Sequence, residues 1–149
     1  MTSSRILSVV AVTGLLSLAG CMSPNTQSTM AKSTLYDRLG GKAAITAVVD
    51  DFISNVAADS RINGRFANVN IPHLKQLLVE QMCAGSGGPC VYSGRDMEAA
   101  HRGMNIRDEE FDALVGDLVK SLEKFKVPDR EKGQLLALLG PAKPQIVGH

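Results

Sequence analysis

The side chains in this sequence best suited to chemistry are three histidines, His73, His101 and His149, and three cysteines, Cys21, Cys83 and Cys90. His101 stands in the stretch MEAAHRGMNI, with apolar neighbours Met97, one helical turn before it, and Ala100. Two readings are open for a neutral imidazole on an apolar face. It is a hydrogen-bonded core group, or it is a nitrogen donor to a metal, for which axial ligation of haem iron is the specific form. No CxxCH occurs, which excludes covalent c-type attachment on that pattern. His73 follows Pro72 at a helix start and reads as solvated, while His149 is the terminal residue and is expected to be disordered.

The cysteines depend on compartment. MTSSRILSVVAVTGLLSLAGC has one arginine near its start, then an uncharged apolar run and small residues, as a secretory signal does. The apolar run is short for a mature membrane helix. Its ending, LSLAGC, resembles the lipobox of bacterial lipoproteins, in which the cysteine is acylated and becomes the mature amino terminus. Residues 1–20 are therefore expected to be a signal peptide, Cys21 a lipidation site, and residues 21–33 a polar tether. A plain secretory signal is the alternative, leaving a soluble periplasmic protein. Export would put Cys83 and Cys90 in an oxidising compartment, where the flexible CAGSGGPC segment can close a small disulfide ring. The spacing is not that of a CxxC redox motif, and two cysteines do not make a zinc site.

The elements that must position these residues are helical. TLYDRLGG reads as a short helix stopped by Gly40 and Gly41. Ala44, Ile45, Val48, Val49, Phe52, Ile53 and Val56 recur at helical steps and predict a helix over about 42–57. Asp59 to Asn70 reads as turns with two apolar plugs, Ile62 and Phe66. Asn70 can cap a helix over about 71–84, with Pro72 tolerated in its first turn. A short helical turn is expected around Asp96 to His101, broken at Gly103. Phe111, Leu114, Val115, Leu118, Val119, Leu122 and Phe125 give the strongest stripe, with acidic residues at its start and lysines near its end, as the helix dipole prefers. Pro128 can open a last helix carrying Leu135, Leu136, Leu138 and Leu139, with a distorted extra turn beyond Pro141. No strand alternation is evident, so the class is all-α. Sixteen basic against 15 acidic residues, interspersed, give no electrostatic case for nucleic acid.

Residues 34–147 resemble a truncated haemoglobin of group I, the two-over-two helical globin. The resemblance is carried, in order, by TLYDRLGG, AVVDDF, GRFANVN, LKQLLVEQM, GGPCVYSGRDMEAAHRGMNI and FDALVGDLVKSLEKFKVP. It implies haem b as cofactor and His101 as proximal iron ligand, its other ring nitrogen bonded to a carbonyl or water. It implies that Phe66 packs on the haem face. Tyr92, Met97, Met104, Ile106 and Phe111 would line the proximal pocket or porphyrin edge, with Lys75 and Arg95 as candidate propionate partners.

On the distal side the resemblance points to Phe52, Ile53, Leu74, Leu78, Gln81 and Met82, and there the chain departs from the family. Ile53 stands where a tyrosine commonly donates to bound oxygen, and Leu78 where glutamine commonly assists it. Only Gln81 offers a polar side chain nearby. His73 as a sixth ligand would require the first turn of its helix to rearrange, and Met82 is expected to be core.

The expected function is reversible binding of O2, CO or NO by a monomer facing the periplasm, in membrane contact only through the lipid anchor. Nitric oxide dioxygenation would need a reductase partner, since no GxGxxG occurs. The alternatives are a haem-free helical lipoprotein that binds a protein partner, or a periplasmic haem carrier.

Overall fold

The computed structural model describes residues 33–149, so the expected signal peptide, the Cys21 lipidation site and nearly all of the tether lie outside the described residues. Among the described residues there are seven α-helices and two short 3₁₀ turns. Their extended pairing is limited to one parallel bridge between Ile106 and Val147. None of these helices is long and apolar enough to cross a membrane.

Helix α1 (Leu35–Arg38) is a single turn closed by a reciprocal cap: the Asp37 N–H donates to Thr34 Oγ1 at 3.1 Å and the Thr34 N–H to Asp37 Oδ2 at 2.9 Å. Gly40 and Gly41, at φ 91° and 73°, turn the chain at once into α2 (Gly41–Ala58). Such dihedrals are open to glycine and costly for a side chain. Helix α2 is central: Ile45, Val48, Val49, Phe52, Ile53 and Val56 are all buried, and it packs on α3 (Ile71–Gly85) and α5 (Asp108–Lys124). Helix α3 begins as its sequence suggests, with Asn70 Oδ1 accepting from the His73 N–H at 3.1 Å and Pro72 in the first turn.

Helix α5 contributes Phe111, Ala113, Leu118 and Leu122, and α6 (Asp129–Leu139) adds Leu135. A polar seam crosses the α2–α5 contact: Asn55 Nδ2 donates to Ser121 Oγ, which donates to Asp51 Oδ2, each at 2.9 Å. A buried polar group needs such partners, because leaving it unpaired forfeits its hydration. Asp117, fully buried in α5, accepts from Lys120 Nζ at 2.8 Å through one oxygen only.

Two residues of the expected apolar stripes are not core. Phe125 is 43% exposed because α5 ends at Lys124 and Lys126, at φ 56°, turns the chain out of helical register. Leu138 is 45% exposed, lying over the end of α3 at Gly85, which has no side chain to cover it. Beyond α6, a 3₁₀ turn at Gly140–Ala142 carries Pro141 into α7 (Lys143–Ile146), the expected distorted extra turn. His149 is not loose as expected: its carbonyl accepts from the Asn105 N–H, and its Nε2 lies 3.2 Å from the Pro144 carbonyl oxygen.

Candidate functional site

His101 ends α4 (Met97–His101), a helix of five residues and too short to persist alone. Asp96 caps it, its Oδ1 accepting from the Ala99 N–H at 2.8 Å. The loop leading in is tied to α3 by Glu80, whose Oε2 accepts from the Ser93 N–H at 3.0 Å and from Ser93 Oγ at 2.6 Å. These bonds hold the Glu80 carboxyl below its ordinary range. Helix α4 packs chiefly against α7.

The ring of His101 is oriented from below. Its Nδ1 lies 2.7 Å from the carbonyl oxygen of Met97. A carbonyl can only accept, so Nδ1 carries the proton and donates. With Nδ1 so engaged, Nε2 is the ring nitrogen left to act as a metal donor.

The surroundings fit haem in kind. Phe66, Leu74, Leu78, Met97 and Met104 are apolar and half-buried, where a sealed core would bury them. Two contacts tie their segments across: Gln81 Nε2 donates to Met97 Sδ at 3.8 Å, and Arg65 donates to the Met104 carbonyl at 2.8 Å. One imidazole nitrogen, with apolar side chains on the segments tied to its helix, is the kind of donor set a protein offers to iron held in a porphyrin.

Several expected residues have other engagements. Met82 is buried beside Leu39, Ile45, Val48, Leu122 and Leu135 in the interior between α2, α5 and α6. The Gln81 amide is directed to Met97 on α4. Lys75 is paired with Asp50 Oδ1 at 2.8 Å, which accounts for its charge without a propionate. Phe111 is buried under Lys143, whose Nζ lies 5.3 Å from the ring centroid. Tyr92 donates its hydroxyl to the Arg95 carbonyl at 2.9 Å, and burial raises its pKa. Arg95 itself and His73 are exposed, whereas Ile106 is half-buried and joins the bridge to Val147. Phe52 and Ile53 are buried on α2, with Ile53 at 6% exposure.

Sequence reasoning misses Arg65 and Glu110. Arg65 Nε donates to Glu110 Oε1 at 3.0 Å and a terminal nitrogen to Oε2 at 2.8 Å, with Glu110 only 8% exposed. Glu110 reads in sequence as one of three acids placed by the helix dipole. Nothing 45 residues away marks its partner. A charged residue directly before the apolar plug Phe66 is the one available signal.

The family model for bacterial-like globins matches residues 34–147. The group 1 truncated haemoglobin GlbN of Mycolicibacterium paratuberculosis is 34% identical over 76% of this chain and 84% of its own length. The group 1 truncated haemoglobin of Tetrahymena thermophila is 32% identical over 77% of this chain and 95% of its own. Among solved structures, the Fe(III) form of the Tetrahymena pyriformis truncated haemoglobin superposes with a TM-score of 0.75 at 30% identity. That match covers 78% of this chain and all of the other.

Proposed function

This chain belongs to the bacterial-like globins, among the group 1 truncated haemoglobins, a family that binds haem b and diatomic gas, and we propose that His101 is its iron ligand and that its distal side is apolar. The observation that carries the assignment is the 2.7 Å bond from His101 Nδ1 to the Met97 carbonyl, which leaves Nε2 as the ligating nitrogen. Bound haem would supply the iron at which O2, CO or NO binds reversibly. The chain supplies the rest. Asp96 caps the helix that carries His101, the Met97 carbonyl orients the imidazole, and Phe66, Met97 and Met104 would give apolar walls.

Ile53, Leu74 and Leu78 carry no hydrogen-bond donor, and Gln81 is engaged with Met97. Dioxygen draws partial negative charge when bound and is stabilised by a donor, whereas CO depends on one far less. Without it the loss is about 1.5–3 kcal/mol. The site therefore favours CO and NO over tight oxygen storage.

Export as an envelope lipoprotein acylated at Cys21 belongs to the same proposal, resting on the LSLAGC segment. The placing of Cys83 and Cys90 as a pair, with Cα atoms 5.7 Å apart, is consistent with that proposal.

The test is titration of the purified protein with haemin, followed by reduction and CO. One equivalent taken up, with a Soret band that moves on adding CO, is the expected result. A folded helical protein that takes up none would refute the reading.

A further inference from the structure

Arg65 spreads its guanidinium over two segments. Nε and one terminal nitrogen form a fork on Glu110 at 3.0 and 2.8 Å, while the other terminal nitrogen donates to the Met104 carbonyl at 2.8 Å. Glu110 is nine-tenths buried and also accepts from the Arg107 N–H at 3.0 Å. The Met104 N–H in turn donates to the His101 carbonyl at 3.0 Å. Arg65 is covalently next to Phe66. One side chain therefore connects the turn bearing Phe66 with the loop that directly follows His101.

That loop has few other anchors. Its Ile106 carbonyl accepts from the Gly148 N–H at 2.9 Å, and the Asn105 N–H donates to His149. Asn105 itself sits at φ 49°, a conformation that must be held by its surroundings. A planar fork on a buried carboxylate fixes direction as well as distance, which a lysine's point charge does not.

We propose that Arg65 is a positioning residue for the haem: it sets the spacing between Phe66 and His101 and thereby governs how firmly the cofactor is held. This rests on His101 being the iron ligand. It concerns a side chain that touches neither the iron nor the gas.

The experiment compares haem-loaded wild type, Arg65→Gln, Arg65→Lys and Arg61→Gln, the last as a control because Arg61 is exposed and pairs with Asp59. Three quantities are measured: haem transfer to excess apomyoglobin, the ferrous iron–histidine stretching band, and amide hydrogen exchange at Arg107 and Gly148. In Arg65→Gln, haem transfer should quicken about tenfold, the band should shift or broaden, and both amides should exchange faster. Arg65→Lys should recover part of this, and Arg61→Gln should stay within about twofold of wild type, because Arg61 bonds to Asp59 and to neither Glu110 nor the Met104 carbonyl. Transfer within about twofold and an unchanged band in both Arg65 variants, even with a lowered melting temperature, would overturn the proposal. Retention of the histidine band in His101→Ala would instead overturn the ligand assignment, and this proposal with it.

Discussion

The ring of Tyr36 occupies the space that a side chain on Gly88 would need: a β-carbon there would lie 2.5 Å from Tyr36 Cδ2 and 2.7 Å from Cys83 Sγ. The same tyrosine accepts the Lys42 N–H on its hydroxyl at 3.0 Å, and its own N–H donates to the Ser86 carbonyl at 2.9 Å. It thus joins the two glycine pairs, 40–41 and 87–88, one at the start of α2 and one beyond the end of α3.

Gly88→Ala should destabilise the fold by about 1–3 kcal/mol, as overpacking does. Gly133→Ala, in the interior of α6 with no atom near the added carbon, should stabilise it by about 0.5–1 kcal/mol. Denaturant unfolding of the two variants checks both signs. Equal effects would mean that Tyr36 does not fill the space at Gly88.

Introducing a donor at Ile53 tests the apolar distal side. Ile53→Tyr should slow oxygen dissociation about tenfold or more, the factor carried by about 1.5 kcal/mol. Ile53 is 6% exposed, so the larger ring also costs about 1–3 kcal/mol of stability. Stopped-flow displacement of oxygen by CO reads the rate. An unchanged rate would show that position 53 does not face the gas.

Cys83 and Cys90 close a short loop that pins the end of α3 to the segment leading toward α4. Reduction or Cys90→Ser should cost about 2 kcal/mol, equivalent to roughly 5–10 °C in melting temperature. Thiol titration of the denatured, unreduced protein should find neither cysteine free. Two reactive thiols in protein from an oxidising compartment would contradict the pairing.

The Glu110 carboxyl is held down to about 2 from its ordinary 4.5, first by the Arg65 hydrogen bond, then by the Arg107 N–H and side chain. A folded value below the unfolded one means that ionised Glu110 stabilises the fold fully above about 4.5. This contribution is lost as pH falls from there toward 2. Stability should therefore fall less steeply over that window in Glu110→Gln than in wild type. Asp59, also held near 2 by Arg61, gives the same background in both. Parallel slopes would show that the Arg65–Glu110 fork is not formed in solution.

Much of this architecture is legible in the sequence because it rests on local periodicity and caps. The stripe from Ile45 to Val56 gives α2, and Asn70 with Pro72 gives the start of α3. What stays hidden depends on long-range partners. Glu110 resembles a helix-dipole acid until Arg65 is beside it, and Gln81 resembles a distal donor until its amide meets Met97. Met82 fits the helical spacing of a pocket residue, yet only tertiary packing assigns it to the interior with Ile45 and Leu135. Phe125 continues the α5 period in sequence, but the turn at Lys126 breaks that period in space.

The central claim is that His101 holds the iron through Nε2. Its most direct test is the ferrous and ferrous–CO spectrum, with the iron–histidine stretching band, of wild type and of His101→Gly with and without added imidazole. Wild type should show the band and a Soret shift on CO. The glycine variant should lose the band and regain it when imidazole fills the space. A glycine variant whose spectrum and band match wild type without imidazole would contradict the account, leaving His101 a hydrogen-bonded core residue.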